Sequence, residues 1–306
     1  MADLGRTLLV ANPAAQNGRG GRAVDQAAAW LREQLPEGAL TVARTSGPRH
    51  ATALVARAEG FDTVIALGGD GVIHEVANGL MERPAGHRPT LGVLPMGSGN
   101  DYARTLGMAS DLRRACGQLL AAEPRPADVG CVNGRWFVET LSFGLDAAIA
   151  LDTVERRVRT GRTGTLLYME AGFDQLINHL GSYGYSLSLD GGEPVRGRSI
   201  IFAVQVGPYY GSGFKVCPDA AIDRGAFSLC IAHPPVSRAK AAYIFLRAKR
   251  GRHVGARPIE MLSARSLRIE FDEEPPAQMD GEAIHGRTFE ATLEPAALSV
   301  LVPSQG

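Results

Sequence analysis

Lysine is scarce in this chain of 306 residues. Of its 32 basic residues only Lys215, Lys240 and Lys249 are lysines, and none precedes position 215. An anion-binding site in the first two thirds of the chain must therefore use arginine, backbone N–H groups or a metal ion. The 32 acidic residues balance the basic ones, so no net charge attracts nucleic acid and no nucleic-acid partner is expected.

Cysteine patterns and long apolar runs are also missing. The four cysteines are scattered and form no C-x-x-C pair, which is typical of reduced, buried thiols in a cytosolic protein. The N-terminus has no charged leader, and no apolar run reaches the length of about 18 residues that a membrane span needs. We expect a cytoplasmic protein, with peripheral attachment to a membrane surface left open.

The first 125 residues alternate apolar, strand-like runs with helical patterns. Continuous apolar strands that alternate with helices predict a parallel sheet covered on both faces. Ligands of such sheets bind in the loops at the carboxyl ends of the strands. We therefore predict an α/β nucleotide-binding domain over residues 1–126.

The second half has a different pattern. Asn133-Gly134 and Asp190-Gly191 each separate two strand-like runs, which indicates β-hairpins. Helical insertions are expected at about 145–180 and 236–251. We predict a mostly antiparallel, β-rich domain over 127–296, and the final strand-like piece at 297–306 could return to the first domain.

Glycines gather where the predicted parallel strands end. Gly68-Gly69-Asp70-Gly71 follows the third strand, and the loops at 94–107 and 10–22 follow the fourth and the first. Glycine lets a backbone approach a ligand closely, and the helix that follows directs N–H groups at it, as phosphate binding requires. The spacing matches neither a P-loop nor a dinucleotide fingerprint. A tight turn capped by Asp70 is the alternative at the first of these loops.

Six motifs in the order of one known family make the pattern specific. They are Asn12-Pro13, the glycines at 68–71, LPMGSGNDYAR (94–104), SFGLDA (142–147), the stretch 213–229 and QMDGEAI (278–284). The chain resembles the soluble diacylglycerol kinase catalytic-domain family, which includes bacterial lipid kinases, sphingosine kinases and ceramide kinases. The resemblance implies an NAD-kinase-like α/β domain with a parallel sheet, a second domain that is an antiparallel β-sandwich, and an active site in the cleft between them.

The resemblance also implies roles for single residues, with ATP and Mg²⁺ as cofactors. Glu282 matches the family's general base. Asp70 matches its essential carboxylate, which contacts the Mg²⁺ ion that is bound to ATP. The residues implied in ATP binding are Asn12, Thr45, Gly68, Gly69, Gly71, Val72, Glu75, Gly97, Ser98 and Asn100.

Two positions depart from the family. Val72 stands where a threonine is usual, so one hydroxyl contact to phosphate is lost. Arg224 stands where the family has a carboxylate that binds a structural Mg²⁺. A guanidinium cannot bind a cation, so a structural magnesium site is doubtful, and Arg224 is expected to pair with Asp219 or Asp223 instead.

The sequence therefore predicts an ATP-dependent lipid kinase, with diacylglycerol as the favoured acceptor and phosphatidic acid as product. An NAD kinase-like enzyme and a catalytically weak lipid-binding or regulatory homologue are the alternatives. Residues 238–257 hold seven basic residues and no acid. This segment is either a solvated helix over the β-domain core or a membrane-surface patch. A homodimer is left open.

Overall fold

The computed structural model describes residues 3–15 and 19–304. The chain forms two compact units. Unit 1 comprises Met1–Ala127 and Ala296–Gly306, and unit 2 comprises Asp128–Pro295. Within the described residues, no helix has both the length and the apolar composition of a membrane span.

Unit 1 is built from alternating strands and helices. In chain order they are β1 (Thr7–Ala11), α1 (Arg19–Gln34), β2 (Leu40–Arg44), α2 (His50–Ala56), β3 (Thr63–Gly68), α3 (Asp70–Met81), a short 3-10 helix (Ala85–His87), β4 (Thr90–Pro95), α4 (Asp101–Thr105) and α5 (Leu112–Leu120).

The four strands pair in parallel in the order β2-β1-β3-β4. Every residue of β1 and β3 is buried, because helices cover both faces of the sheet. The edge strand β2 is only partly buried, in keeping with its mixed sequence LTVAR. The predicted parallel sheet is therefore confirmed.

Unit 2 contains most of the remaining elements. They are β5 (Glu123–Val132), β6 (Arg135–Phe137), β7 (Thr140–Gly144), α6 (Leu145–Thr160), α7 (Thr165–Asn178), β8 (Tyr183–Leu189), β9 (Val195–Ser199), β10 (Ile201–Gln205), β11 (Phe227–Ala232), α8 (Arg238–Ala248), β12 (Ile259–Ala264), β13 (Ser266–Phe271), β14 (Ala277–Met279), β15 (Glu282–Ala283) and β16 (Thr288–Val302).

Two antiparallel layers enclose the main core of unit 2. One has the order β12-β11-β10-β7-β14-β15, and the other contains β9, β8, β13 and the first part of β16. Phe143 of the first layer contacts Phe271 and Phe289 of the second, with ring centroids 5.1 and 4.7 Å apart. The predicted antiparallel sandwich is confirmed by this packing.

The six-stranded sheet is covered on its other face by helices. Along β10, Phe202 and Val204 point into the sandwich core, whereas Ala203 belongs to a second cluster with residues of α6 and α7. The helical insertion expected at about 145–180 consists of two helices, α6 and α7, because Gly161 ends α6 in the left-handed conformation with φ 68°. The single strand β16 starts in unit 2 and ends in unit 1, where Val300 pairs with Leu91.

Candidate functional site

The loops at the carboxyl ends of β1, β3 and β4 are joined by backbone hydrogen bonds. Asn12 N–H donates to the Leu67 carbonyl at 3.3 Å, and Met96 N–H donates to the Gly68 carbonyl at 2.7 Å. Thr45 N–H donates to the Ala11 carbonyl at 2.8 Å. The parallel register therefore places the predicted nucleotide residues of unit 1 at one edge of the sheet, as the sequence indicated.

Two glycines allow the loops after β3 and β4 to touch. A Cβ built on Gly69 would lie 2.9 Å from the Gly97 Cα, and a Cβ on Gly97 would clash with the Gly69 Cα. A methyl group at either position would therefore push the two backbones apart. Gly71 is different, because a Cβ there would meet no heavy atom within 4 Å.

Helix α3 begins directly at this contact. Its N-cap residue Gly69 is extended and provides no side-chain cap. Such a helix N-terminus is suited to an anion, since its first N–H groups point along the axis. Asp70 lies in the first turn, half-buried, and its Oδ1 accepts from Tyr102 N–H at 3.3 Å. Asp70 thus connects the loop after β3 to the start of α4.

Several predicted nucleotide residues shape the loops with their side chains. Asn100 has φ 54°, and its amide accepts from Gly97 N–H at 2.7 Å and donates to the Gly97 carbonyl at 3.1 Å. Glu75 accepts from the N–H groups of Arg49 and Ala51 at 2.9 and 3.0 Å, so it caps the N-terminus of α2. Asn12 Oδ1 accepts from Ala14 N–H at 2.9 Å. These contacts give each residue a structural role beside the predicted one.

The remaining residues of the predicted set lie in the same loops. Val72 is buried against Gly68, and a Cβ on Gly68 would lie 2.7 Å from the Val72 Cγ2. Ser98 is half-buried in the loop after β4. Part of the predicted glycine loop at 10–22, residues 16–18, lies outside the described residues.

Glu282 lies in unit 2, after the Asp280-Gly281 turn between β14 and β15. Its carboxylate is half-exposed and forms an ion pair with Arg135 at 2.8 Å. Asp280 is buried and accepts from the N–H groups of Val138, Glu139 and Thr140 at 2.8–3.0 Å. The Asp280 charge is therefore satisfied by backbone donors, which fix the turn that presents Glu282.

In the turn at 219–228, the Arg224 guanidinium is held by a backbone carbonyl and a hydroxyl. Arg224 Nη1 donates to the Asp219 carbonyl at 3.0 Å and to the Ser228 hydroxyl at 3.3 Å. The expected pairing with the carboxylates of Asp219 or Asp223 is wrong, because Arg224 contacts no described carboxylate at ion-pair distance. Asp128 Oδ2 accepts from Gly225 N–H at 2.6 Å. Among the described residues, no three His, Cys, Asp or Glu side chains form a cluster that could hold a metal ion.

Unit 2 also encloses an apolar cavity of about 70 Å³ beneath its helices. Inward-facing residues of α8 line it at helical spacing, namely Ala241, Ile244, Phe245 and Ala248. Leu145 and Ile149 of α6 and Tyr168 of α7 line the opposite side.

Two polar side chains face this apolar space. Asp146 Oδ2 and His253 Nδ1 are buried, and neither atom has a hydrogen-bond partner among the described residues. Burial raises the pKa of Asp146 from its ordinary 3.8 to about 7, although a hydrogen bond from Ser142 acts in the opposite direction and lowers the pKa. Burial also lowers the pKa of His253. Sequence reasoning gave Asp146 no role, although it is the acid of the SFGLDA motif.

The two loop glycines provide a test of the site geometry. We expect Gly97→Ala to lower the free energy of unfolding of the chain by about 1–3 kcal/mol, because its Cβ meets the Gly69 backbone. Gly71→Ala is the matched variant, and its stability should be unchanged or slightly higher, because its Cβ meets open space in a helix. Denaturant unfolding measures both, and equal losses would contradict the loop contact.

Asp146 should make stability depend on pH. Because its folded pKa of about 7 lies above its ordinary 3.8, the folded state keeps a proton that the unfolded state has lost. Between these two values stability should fall as pH rises, by up to about 1.4 kcal/mol per pH unit, and level off above pH 7. Asp146→Asn should remove this slope from urea titrations at pH 5 and 8. Identical slopes in both proteins would show that Asp146 is not held protonated.

Both halves of the chain match known protein families. The Diacylglycerol kinase catalytic domain model matches residues 6–132, and the YegS C-terminal NAD kinase beta sandwich-like domain model matches residues 139–302. A structure described as a diacylglycerol kinase from Bacillus anthracis str. Sterne superposes with a TM-score of 0.75, at 20% identity. That alignment covers 99% of this chain and 98% of the other, and it shows a shared fold.

Curated relatives carry the comparison further. A Diacylglycerol kinase of Bacillus subtilis (strain 168) is 33% identical over 223 residues, covering 72% of this chain and 71% of the relative. A Diacylglycerol kinase of Staphylococcus carnosus (strain TM300) is 28% identical, covering 73% of this chain and 71% of the relative. Because both halves match in order and the first relative exceeds 30% identity over most of the chain, the chain belongs to the diacylglycerol kinase family.

Proposed function

We propose that the chain is an ATP- and Mg²⁺-dependent lipid kinase that phosphorylates the hydroxyl of diacylglycerol to give phosphatidic acid. The observation that carries this proposal is the apolar cavity of unit 2, which is also lined by Asp146, whose buried Oδ2 has no hydrogen-bond partner among the described residues. The apolar lining of this cavity suits an alkyl chain of such a lipid, whose one free hydroxyl is left for the carboxylate of Glu282. NAD has no alkyl chain, so the cavity disfavours an NAD kinase.

Unit 1 supplies the nucleotide half of the reaction. Close glycine backbones and the uncapped N-terminus of α3 fit the phosphates of ATP, and Asp70 fits the accompanying magnesium ion. When bound, Mg²⁺-ATP provides the phosphoryl group and neutralises the charge that develops as it is transferred. Val72 offers no hydroxyl and packs on Gly68 instead, so the phosphate contacts rest on backbone N–H groups.

Unit 2 supplies the acceptor half. A lipid hydroxyl is a poor nucleophile at neutral pH, so a carboxylate that accepts its proton speeds transfer. Glu282 is half-exposed and can meet a substrate, and Arg135 orients it through an ion pair. Ion pairs this exposed contribute about 0–1 kcal/mol, so Arg135 directs the carboxylate without locking it.

The test of function is transfer of radiolabelled phosphate from ATP to a panel of lipids in mixed micelles, with NAD assayed in parallel. We expect label in phosphatidic acid when diacylglycerol is present. Asp70→Asn should lower turnover about 10²-fold or more, a loss of about 2.7 kcal/mol of transition-state stabilisation. The matched variant is Asp25→Asn, which removes an exposed carboxylate of unit 1 that pairs with Arg44. Label in NAD, or in none of the acceptors, would contradict the proposal.

Glu282→Gln tests the base directly. The amide keeps the shape of the side chain and removes its basicity, so lipid phosphorylation should fall about 10²–10⁴-fold while ATP affinity stays unchanged. Steady-state kinetics and nucleotide titration measure the two quantities. Glu290→Gln is the control, because Glu290 forms an exposed ion pair with Arg268 in the same unit. A Glu282→Gln variant that loses ATP affinity but keeps its turnover at saturating ATP would make Glu282 a metal or nucleotide ligand.

A further inference from the structure

Basic residues are concentrated in two segments of unit 2. Residues 156–166 contain four arginines and no acid, and residues 238–257 contain seven basic residues and no acid. The chain as a whole has equal numbers of basic and acidic residues. These two segments therefore carry a local positive charge, and the acidic residues that balance it lie in other parts of the sequence.

The two segments meet at one carbonyl. Thr165 Oγ1, at the start of α7, and Lys249 Nζ, just after α8, both donate to the Ser212 carbonyl, at 3.4 and 2.6 Å. Along the helices Phe173 packs edge-on against Phe245, with centroids 5.9 Å apart. The N-terminus of α7 and the C-terminus of α8 thus belong to one continuous surface.

Some of these basic side chains form ion pairs within the fold, and others are exposed without an ion pair. Arg156 pairs with Asp152 and Asp174, and Arg162 pairs with Glu170. The acids of α7 are thereby neutralised. Among the exposed arginines that form no ion pair with any described carboxylate, three lie near the α6–α7 loop and the end of α8: Arg157, Arg159 and Arg250.

Large apolar side chains are exposed among these cations. Val158 is 83% exposed, Leu166 79% and Leu246 50%. Leu246 lies on the outer face of α8, opposite the inner face that lines the cavity. The same helices therefore have apolar side chains on both sides, one toward the cavity and one toward solvent.

We propose that this surface, formed by Val158, Leu166, Leu246 and the three unpaired arginines, docks the protein on an anionic lipid membrane. At a membrane surface, the apolar side chains can insert at the boundary of the acyl chains while the arginines between them contact the anionic headgroups. The proposal rests on the lipid kinase function for its purpose, since the helices that dock also enclose the acceptor cavity.

A second copy of the chain fits this surface less well, although arginine itself is common in protein interfaces. A symmetric dimer through this face would bring two positively charged patches together, which costs free energy. The charge pattern therefore favours a membrane over a second copy of the chain.

The chain offers a matched pair of variants for the test. Val158-Arg159 belongs to the proposed surface, and Val195-Arg196 is an exposed Val-Arg pair on β9 of the same unit. Arg247 and Lys249 are left unchanged, because Arg247 holds Tyr243 and Lys249 holds Ser212. The variants are V158S/R159Q, L166S, and V195S/R196Q as control, each checked for an unchanged thermal midpoint.

Binding is measured by co-sedimentation, without ATP, on phosphatidylcholine vesicles with and without phosphatidylglycerol. Wild type and V195S/R196Q should bind the anionic vesicles equally. Loss of one cation corresponds to about 1 kcal/mol, so V158S/R159Q should bind at least about fivefold more weakly. L166S should also bind more weakly, and about 1 M salt should weaken wild-type binding by screening.

Each outcome decides the proposal independently of catalysis. Equal vesicle binding by V158S/R159Q and V195S/R196Q would overturn the proposal. Wild-type binding that is the same with and without phosphatidylglycerol would also overturn it. A change in sedimentation coefficient of V158S/R159Q without vesicles, with its vesicle binding intact, would assign the surface to a second copy instead. If the kinase assay fails but the vesicle contrast holds, the docking surface stands and the proposed reaction does not.

Discussion

The site in unit 1 depends on the close approach of two backbones at Gly69 and Gly97. This approach lets the loops after β3 and β4 form a single wall, and Asp70 and Asn100 then complete it from either side. The parallel ladder brings the strand ends together, but any side chain at these two positions would hold the loops apart. The absence of Cβ atoms therefore decides the shape of the wall, and helix α3 can direct its N-terminus toward it.

In unit 2, the size of the side chains on each face of a strand decides the packing. Phe202 and Val204 of β10 fill the sandwich core, while Ala203 of β10 and Cys230 of β11 face the helices. Large side chains on one face make a dense core. Small side chains on the other face leave room beneath α6, α7 and α8, and the cavity occupies that room. One sheet thus provides both the stability of the unit and its internal space.

The features that the sequence predicted are those that local patterns determine. Runs of apolar residues predicted the strands of the parallel sheet. The Asn133-Gly134 turn has the positive φ values, 47° and 80°, that an Asn-Gly dipeptide predicts. The roles of Glu75 and Glu282 were harder to predict. Glu75 caps a helix 24 residues away in sequence, and Arg135 meets Glu282 across 147 residues. Such pairs depend on tertiary packing, which motif spacing does not encode.

The same reason explains why Asp146 was missed. The sequence shows its position in the motif, but not that its Oδ2 lacks a partner, because the cavity beside it forms only when three helices pack on the sheet.

The polar groups of the two units fall into two kinds. Asn100, Glu75 and Asp280 have their hydrogen bonds completed by backbone groups, so they hold loops in place whether or not a ligand is bound. Asp146 and His253 are buried with an atom left unpartnered. An unsatisfied buried polar group costs about 1–3 kcal/mol, a cost the folded protein carries until a partner arrives. An alkyl chain alone in the cavity would leave that cost in place, whereas a ligand with a polar group at Asp146 Oδ2 would remove it. The cavity therefore favours a ligand that combines an apolar part with one polar group over a purely apolar ligand.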